Sequence, residues 1–321
     1  MPAKFNIFVT RQIPLPGLEI LRRDAGGFEI NDDDHPLTQI ELKAKVKDRD
    51  ALVCVLTDII DAEVLDAAGT RLKVVANVAV GYNNIDIKAA TSRGIIVTNT
   101  PGVLTNATAD LAWALLLASA RRLNESERVL RAGLWPGWGI LQFLGQDISG
   151  KTLGIVGAGR IGQAVAKRAQ GFDMQILYTS RGAKAEMEAL GAKHVDLETC
   201  LKQSDFISLH VPLTPETKHL IGKPELELMK PSAHLINTAR GPIVDEAALA
   251  QALKARTIAG AALDVYEEEP KIHPGLLELE NVVLAPHIGS ATTETRGRMA
   301  SMAAENCIAV LQGRKAPNAV N

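Results

Sequence analysis

The sequence predicts an α/β fold with two doubly wound parallel-sheet domains. Short β-branched runs alternate with longer stretches of helical periodicity along the whole chain, which is the pattern of parallel sheets covered by helices. The length of 321 residues suits two domains of ordinary size. Of the two α/β segments, only the second contains a glycine-rich turn between a strand and a helix. We therefore expect the two domains to bind different groups.

The first α/β segment starts at the amino terminus. Met1–Thr10 has the pattern of a strand rather than of a charged region followed by a long apolar core, so we expect no signal peptide. One helix is predicted over Asp86–Arg93 and ends at Gly94, a typical C-cap residue. Strands are predicted at Phe5–Thr10, Ala51–Leu56, Val74–Ala76 and Ile95–Val97.

A long apolar helix and a glycine-rich loop lead to the second segment. The helix is predicted over Leu104–Arg122, and we expect it to be buried because its apolar residues run almost all round. Residues 133–150 are rich in glycine and are expected to form an extended loop. The second segment begins at Thr152, with predicted strands at Leu153–Val156, Gln175–Tyr178, Phe206–Val211, His234–Ile236, Gly260–Leu263 and Val282–Ala285.

A final helix is predicted over Thr292–Leu311. We expect it to pack back on the first domain, which would make that domain discontinuous. The predicted domains are therefore residues 1–99 together with 289–321, and residues 100–288.

The composition narrows the class of protein. Hydrophobic residues make up 46% and charged residues 22%, which is typical of a globular chain and not of a disordered one. The formal net charge of −2 gives no reason to expect a nucleic acid partner. The longest apolar stretch, Leu111–Ala120, is about half as long as a membrane span, so we expect no membrane partner.

The cysteines argue against a disulfide framework and against a zinc site. Cys54, Cys200 and Cys307 are odd in number and far apart, and no Cys-x-x-Cys pair occurs. We therefore expect no bound metal and a reduced, cytoplasmic location.

The glycine turn predicts a dinucleotide site. An apolar strand, Leu153–Val156, leads directly into Gly157-Ala158-Gly159-Arg160-Ile161-Gly162, and Gln163–Gln170 continues as a helix. The first glycine permits the tight turn, the second lets the backbone approach a pyrophosphate, and the third lets helix and strand pack closely. The free N–H groups of the helix, Arg160 and Ile161 among them, attract phosphate. A strand before the motif and a helix after it favour a Rossmann domain over a merely structural turn.

The residues after the next strand indicate which dinucleotide is preferred. Units that bind NAD place an acid about 20 residues after the turn, where it accepts from the ribose hydroxyls. Here Ser180 and Arg181 stand at that place, and Asp173 lies before the strand, at its other end. Arg181 can pair with a 2′-phosphate, and Ser180 does not repel it. We expect NADPH to be preferred over NADH; the alternative is that Arg181 is only a solvated loop residue.

Three later strands are each followed by a polar residue with a chemical use. Arg240, Glu269 and His287 lie past the ends of successive strands, and in an open parallel sheet the carboxyl ends of strands face the ligand crevice. Reduction of a 2-oxo acid needs a hydride on the carbonyl carbon and a proton on its oxygen. Arg240 can grip the carboxylate and polarise the carbonyl, and His287 can donate the proton. Glu269 can favour the imidazolium form of His287 and orient its ring.

Together these motifs identify a family. The chain resembles the D-isomer-specific 2-hydroxyacid dehydrogenases over essentially its full length, and among them the glyoxylate and hydroxypyruvate reductases. The resemblance is carried by these stretches: Leu65–Gly69, Val80–Asp86, Gly157–Gly162, Thr179–Arg181, Asn237–Gly241 and Pro286–Thr292. One departure is Asp110, where many members carry glutamate.

The resemblance implies further roles. Val80 and Gly81 would bind the substrate carboxylate through backbone N–H groups together with Arg240, and Leu56 would lie near the substrate. It implies a flavodoxin-like substrate domain beside the Rossmann domain. It also implies a homodimer, with the long helix and the loop of Trp135 and Trp138 at the contact; either tryptophan would extend toward the partner's active site. Cofactor-lining positions would be Thr108, Val211, Pro212, Thr217, Thr238, Ala239, Asp264, Gly289 and Ser290, besides Arg240, His287 and the residues of the glycine turn.

Other functions remain open on the same scaffold. Formate oxidation needs no proton donor to a carbonyl, and enzymes of that kind lack an acidic partner beside the histidine, so Glu269 argues against it. Phosphoglycerate oxidation would require additional basic residues and often an added regulatory domain, neither of which we see up to Asn321. A 2-ketogluconate reductase shares the same reacting group. A non-catalytic dinucleotide-sensing corepressor can retain all three catalytic residues, but we see no extended tail that would serve it.

Overall fold

In the computed structural model the chain divides into two compact units. Unit 1 comprises the chain up to Leu104 together with Ser290–Asn321, and unit 2 comprises Thr105–Gly289. The structure describes residues 5–321, so Met1–Lys4 of the predicted amino-terminal strand lie outside the described residues. None of the described helices is both long enough and apolar enough to span a membrane.

Unit 1 contains a five-stranded parallel sheet. Its strands lie in the order β2-β1-β3-β4-β5, which is the flavodoxin-like order 2-1-3-4-5. The elements up to Thr98 are β1 (Ile7–Val9), α1 (Leu15–Ala25), β2 (Glu29–Ile30), α2 (Gln39–Lys45), β3 (Ala51–Cys54), α3 (Ala62–Ala68), β4 (Val74–Asn77), α4 (Ile87–Ser92) and β5 (Ile96–Thr98). Aspartates begin two of these helices: Asp61 accepts from the N–H of Val64, and Asp86 from that of Ala89.

Unit 2 contains a seven-stranded parallel sheet in the order β12-β11-β10-β9-β6-β7-β8, which is the Rossmann order extended by one strand. Its elements are α5 (Thr105–Ala120), α6 (Leu123–Arg131), β6 (Thr152–Val156), α7 (Arg160–Ala169), β7 (Gln175–Thr179), α8 (Ala185–Glu188), β8 (Lys193–His194), α9 (Leu197–Gln203), β9 (Phe206–Leu209), α10 (Lys223–Leu228), β10 (His234–Asn237), α11 (Glu246–Lys254), β11 (Gly260–Leu263), α12 (Pro274–Leu277) and β12 (Val282–Leu284). The predicted fold class is confirmed.

The last helix, α13 (Thr293–Leu311), returns to unit 1 and packs on α1. The approach is so close that a Cβ at Gly17 would lie 2.7 Å from the carbonyl oxygen of Ala300. Thr292 begins the helix, because its side chain accepts from the N–H of Thr295.

The two predicted domain divisions differ slightly from the observed ones. Residues 100–104 were placed in the second domain, but the N–H of Thr100 bonds the carbonyl of Ala79 in unit 1. Gly289 was placed in the first domain, but its N–H donates to Asp264 and its carbonyl accepts from Thr108, both in unit 2.

Several predicted elements are shorter than expected, and one helix was missed. The strand predicted over Ala51–Leu56 ends at Cys54, because the N–H of Val55 bonds the Asp58 side chain instead of a neighbouring strand. The long helix ends at Ala120 rather than at Arg122, which adopts a left-handed conformation with φ of 51°. A separate helix, α6, follows it. Most of α5 is buried, as predicted; Trp113 stacks on Phe172 with 4.7 Å between ring centroids.

Candidate active site

The glycine turn lies where the strand order of unit 2 reverses, between β6 and β9. Gly157 has φ of +103°, and a Cβ there would lie 2.6 Å from the carbonyl carbon of His210, just past β9. A Cβ at Gly162 would overlap the Gly157 carbonyl oxygen. Gly159, which begins α7, faces open space: a Cβ there would have no atom within 4 Å. The turn is therefore closed toward the protein and open at the helix N-terminus, as a pyrophosphate requires.

The residues past β7 carry no acid that would accept from a ribose. Ser180 Oγ donates to the carbonyl of Gly182 at 2.7 Å. Arg181 is exposed, and its guanidinium bonds no other residue in the described part of the chain. Asp173 lies before β7 in a left-handed conformation. Of the two residues directly after β7, Ser180 is uncharged and Arg181 is positive.

Further predicted cofactor residues follow β9 and β10. Thr217 Oγ1 donates to the carbonyl of Pro212 at 2.6 Å and accepts from the N–H of Thr214 at 2.8 Å, which fixes the segment of Val211 and Pro212. Thr238 Oγ1 is buried and has no hydrogen-bond partner among residues 5–321. A buried hydroxyl without a partner is costly unless a ligand group bonds it. These residues fit a dinucleotide.

His287 and Glu269 form a close pair in unit 2. His287 Nδ1 lies 2.8 Å from Glu269 Oε2, and the two side chains are 25% and 29% exposed. The other carboxylate oxygen, Oε1, accepts from the N–H of Tyr266 at 3.0 Å. The imidazole is therefore oriented through Nδ1, which leaves Nε2 for a reacting group.

The backbone of His287 is held in a left-handed conformation with φ of +53°. Such a conformation costs free energy in a non-glycine residue and persists only where neighbours enforce it. Asp264 enforces it here by accepting from the N–H groups of Ile288 at 2.7 Å and Gly289 at 2.8 Å. The Tyr266 hydroxyl donates to the carbonyl of Ala285 at 2.8 Å. Asp264, predicted only as a cofactor-lining residue, thus also shapes the turn that carries His287.

The electrostatic surroundings keep Glu269 ionised. Burial by itself would raise the pKa of the Glu269 carboxyl, but the hydrogen bond and charge of His287, the N–H of Tyr266 and the charge of Arg240 outweigh it. The pKa of Glu269 therefore lies below its ordinary value, and the group is a carboxylate at neutral pH.

Arg240 follows β10, and hydrogen bonds of the Asn237 side chain fix the turn that carries it. Asn237 Nδ2 donates to the Arg240 carbonyl at 2.9 Å, and Asn237 Oδ1 accepts from the N–H of Ala239 at 3.0 Å. Arg240 Nη1 donates to the carbonyl of Ala239 at 2.7 Å. Burial lowers the pKa of Arg240, and the charge of Glu269 opposes this shift; a guanidinium nevertheless stays protonated. Arg240 thus provides a fixed positive charge next to the Glu269–His287 pair.

A second acidic cluster beside the pair was not predicted. Glu246 Oε1 accepts from the N–H of Glu267 at 2.6 Å, and Glu267 Oε1 accepts in return from the N–H of Glu246 at 2.7 Å. His219 Nε2 lies 2.9 Å from the other oxygen of Glu267. Glu267 therefore supports the loop, Glu268 is exposed, and Glu269 faces His287. The sequence carries no signal for this reciprocal bond, because Glu246 stands 21 residues from Glu267.

Three further residues predicted to lie at the substrate, Leu56, Val80 and Gly81, lie in unit 1. Leu56 follows β3 and is 36% exposed. Val80 and Gly81 follow β4, and their N–H groups donate to no other residue in the described part of the chain. Ser290, predicted to line the cofactor, also falls in unit 1, where its carbonyl accepts from the N–H of Thr292.

Comparisons with known proteins agree with one family. Residues 113–289 match the model of the D-isomer specific 2-hydroxyacid dehydrogenase, NAD binding domain. A glyoxylate reductase of Thermococcus litoralis is 56% identical over 99% of this chain and 97% of its own length. A crystal structure of a Thermus thermophilus protein superposes with a TM-score of 0.92 at 47% identity, covering 98% of this chain and 100% of that one. An NADPH-dependent glyoxylate/hydroxypyruvate reductase of Sinorhizobium meliloti, solved with NADP and malonate, gives a TM-score of 0.86 at 34% identity, covering 99% and 97%.

Proposed function

Because the chain belongs to the D-isomer specific 2-hydroxyacid dehydrogenases, and is thus an NAD(P)-dependent oxidoreductase acting on a CH–OH group, we propose that it reduces small 2-oxo acids with NADPH. Glyoxylate and hydroxypyruvate are the proposed substrates, and D-2-hydroxy acids the products. The observation that carries the proposal is the Glu269–His287 pair at 2.8 Å, because reduction of a carbonyl requires a proton donor.

Each of the proposed site residues has a separate role in the reaction. His287 Nε2 donates a proton to the carbonyl oxygen, while Glu269 orients the ring through Nδ1. Arg240 binds the carboxylate and polarises the carbonyl beside it. Val80 and Gly81 are the proposed backbone N–H donors to a substrate carboxylate. The nicotinamide cofactor, when bound, supplies the hydride.

Turnover of a substrate panel tests the proposal. Purified protein is given NADPH with glyoxylate, hydroxypyruvate, pyruvate, 2-ketogluconate or 3-phosphohydroxypyruvate, and the loss of NADPH absorbance is followed. Glyoxylate and hydroxypyruvate are expected to give the highest kcat/KM. A clear preference for 2-ketogluconate or the phosphorylated acid would replace the proposed substrate class, and no turnover of any 2-oxo acid would reject reduction.

Replacing Arg181 by alanine is expected to lower kcat/KM with NADPH by about tenfold to 150-fold, the value of a charged hydrogen bond to the 2′-phosphate. The value with NADH should change less than about threefold on the same scale, because NADH lacks that phosphate. Both cofactors are measured with glyoxylate at saturation.

Lys193 offers a matched control for this variant. It is an exposed cation in the neighbouring strand β8, and Lys193→Ala removes the same charge without removing the predicted phosphate partner. Equal losses with NADPH and NADH in Arg181→Ala, or wild-type kcat/KM with NADH that matches NADPH, would contradict the proposed preference.

An exposed apolar segment of unit 2 supports the proposed homodimer. Helix α6 buries none of its residues, and the loop after it exposes Trp138 by 80% and Leu141 by 79%. The exposed large side chains of this segment are Leu123, Leu130, Leu134, Trp135, Trp138, Ile140, Leu141 and Leu144. Apolar surface concentrated in this way is typical of a contact with another chain. We propose that a second copy covers it.

Light scattering after size-exclusion chromatography is expected to give twice the chain mass for the native protein. Leu141→Glu should shift the mass toward the monomer, because it places a charge in an apolar contact. Ile40→Glu, at a comparably exposed apolar residue of unit 1 (82% exposed, against 79% for Leu141), should leave the mass unchanged. A monomeric native protein would refute the proposed dimer.

The proposed location is the cytoplasm. Cys54, Cys200 and Cys307 are free and buried. Burial raises the pKa of the Cys200 thiol to about 11 and that of Cys307 to about 12, so both are protonated and unreactive at neutral pH. Thiols without a disulfide partner suit a reducing compartment.

A further inference from the structure

Three successive carbonyl oxygens after β4 accept hydrogen bonds from other residues of unit 1. The Ala79 oxygen accepts from the N–H of Thr100 at 2.9 Å. The Val80 oxygen accepts from Asn99 Nδ2 at 2.8 Å, and the Gly81 oxygen accepts from Asn77 Nδ2 at 2.9 Å. Two of the three donors are asparagine side chains, so the direction of the turn is set by side chains as well as by backbone pairing.

The N–H groups of Val80 and Gly81, in the same turn, have no acceptor within the described part of the chain. Among residues 5–321, Val80 and Gly81 donate to nothing, and both residues are partly exposed. Backbone N–H groups rarely stay unpaired unless water or a ligand reaches them. Adjacent N–H groups that point the same way form a concave anion site. The Val80 N–H shares a peptide plane with the Ala79 carbonyl, and the Gly81 N–H shares one with the Val80 carbonyl. The bonds from Thr100 and Asn99 to these two carbonyls therefore set the direction of the two donors.

Asn84 connects this turn to the turn that carries Leu56. Asn84 Nδ2 donates to the carbonyls of Val55 at 3.2 Å and Asp58 at 3.0 Å. Its Oδ1 accepts from Asn77 Nδ2 at 3.4 Å. The two segments to which substrate roles are assigned, around Leu56 and around Val80, are therefore connected through two amide side chains.

Asn99 is itself rigidly placed. Its N–H donates to the carbonyl of Asn318 at 3.2 Å, and its carbonyl accepts from Asn306 Nδ2 at 3.2 Å. The residue is 9% exposed. The Asn99 backbone is therefore fixed, and its side chain holds the Val80 carbonyl in one direction. Without this side chain the Val80–Gly81 peptide plane could rotate.

We propose that Asn99 is a positioning residue for carboxylate recognition, supported by Asn77 and Asn84. Asn99 holds the Val80 carbonyl and with it the Gly81 N–H, while Asn77 and Asn84 hold the chain after Gly81, so that the Val80 and Gly81 N–H groups point at one substrate carboxylate. This inference rests on the proposed function, which assigns a 2-oxo acid to the site. None of the three asparagines is assigned a contact with the substrate or the reacting atoms.

Asn99 variants test the inference. Asn99→Ala should raise KM for glyoxylate by about threefold to tenfold, the value of one neutral hydrogen bond. Asn99→Asp should raise it by about tenfold to 100-fold, because a charged oxygen would then face the Val80 oxygen and repel the substrate anion. In both variants kcat at saturating glyoxylate and the Kd for NADPH should stay within about twofold of the native values, because His287 and the glycine turn are untouched.

Asn31→Ala and Asn31→Asp are the controls. Asn31 is in the same unit and about as buried as Asn99 (8% against 9% exposed), and its side chain donates to the carbonyl of His35 at 2.9 Å instead of to the turn, so these changes should leave KM unaltered. The competitive inhibition constant of oxalate, measured alongside, should rise in parallel with KM in the Asn99 variants. Thermal unfolding is recorded for each protein, and a poorly folded Asn99→Asp leaves the alanine variant as the test.

The outcomes separate two failures. Native protein that turns over glyoxylate, with KM and oxalate inhibition unchanged in the Asn99 variants, would overturn the positioning role alone. A parallel fall of kcat and of NADPH affinity would assign Asn99 a general structural role and overturn it as well. No glyoxylate turnover by the native protein would reject the proposed function, and the positioning role with it.

Discussion

Replacing His287 by alanine is expected to lower kcat for glyoxylate reduction by about 10²–10⁴-fold, the usual contribution of a general acid. The Kd for NADPH should change little, because the glycine turn and Ser180–Arg181 lie on other strands of the sheet. Steady-state kinetics with glyoxylate and equilibrium NADPH fluorescence measure the two quantities separately.

The left-handed backbone at His287 calls for a second variant. Asparagine adopts φ near +50° far more readily than alanine, so His287→Asn removes the proton donor and retains the turn. Both variants should lose kcat to a similar extent. Glu268→Gln, at the exposed acid beside Glu269, is the control and should remain active. Equal losses of kcat and NADPH affinity in His287→Asn would mean that the histidine is structural.

The pH profile offers an independent check on the same pair. The pKa of Glu269 lies below its ordinary value, so its carboxylate is lost only as the pH falls through that lowered value. The activity should therefore hold down to moderately acidic pH and fall only as the pH drops through that lowered value, where the carboxylate is protonated. In Glu269→Gln this acid limb should be absent, because the amide does not titrate. An acid limb that persists unchanged in Glu269→Gln would show that it does not report on Glu269.

Arg240→Lys is expected to raise KM for glyoxylate by about tenfold to 150-fold, the value of one lost charged hydrogen bond. Arg240 Nη1 already donates to the carbonyl of Ala239, and a lysine ammonium cannot hold that carbonyl and present a planar fork to a carboxylate. Because polarisation of the carbonyl also weakens, kcat should fall as well, but less. Initial rates over a range of glyoxylate concentrations give both parameters.

Arg168→Lys provides the comparison for this substitution. Arg168 also donates to a nearby carbonyl, that of Ala164, and pairs with a carboxylate, Asp110. It lies on α7, away from the ends of β10–β12, so its replacement should leave KM unchanged. An unchanged KM in Arg240→Lys would remove Arg240 from carboxylate binding.

The sequence was most informative where chemistry requires a residue at a particular place along a strand. The glycine spacing predicted the turn between β6 and α7, and Arg240, Glu269 and His287 were expected at one sheet edge because each follows a strand. The structure brings Glu269 and His287 into hydrogen-bond contact and places the charge of Arg240 beside them. These features depend on local order along the chain, which a pattern can show.

Most of the features that sequence reasoning missed depend on side-chain hydrogen bonds between distant residues. Helix α6 is the exception: the predicted long helix ended at Arg122, and the left-handed backbone at that residue, after which a second helix begins, is not visible in the sequence. The reciprocal bonds of Glu246 and Glu267 also lie outside any local pattern. The hydrogen bonds from the side chains of Asn77 and Asn99 to the Val80–Gly81 turn could not be predicted either. The sequence does not show to which carbonyl oxygen an asparagine side chain donates.

The donors of the Ala79–Gly81 turn are main-chain groups, and this bears on how the protein can evolve. Every residue except proline keeps its N–H, so point mutations at Val80 alter the shape of the pocket without abolishing the donor. With the proposed carboxylate site at this turn, substrate preference can therefore drift between related acids while the requirement for a carboxylate is inherited unchanged. Only a proline at one of these positions, or damage to the asparagines behind them, is expected to erase that requirement in a single step.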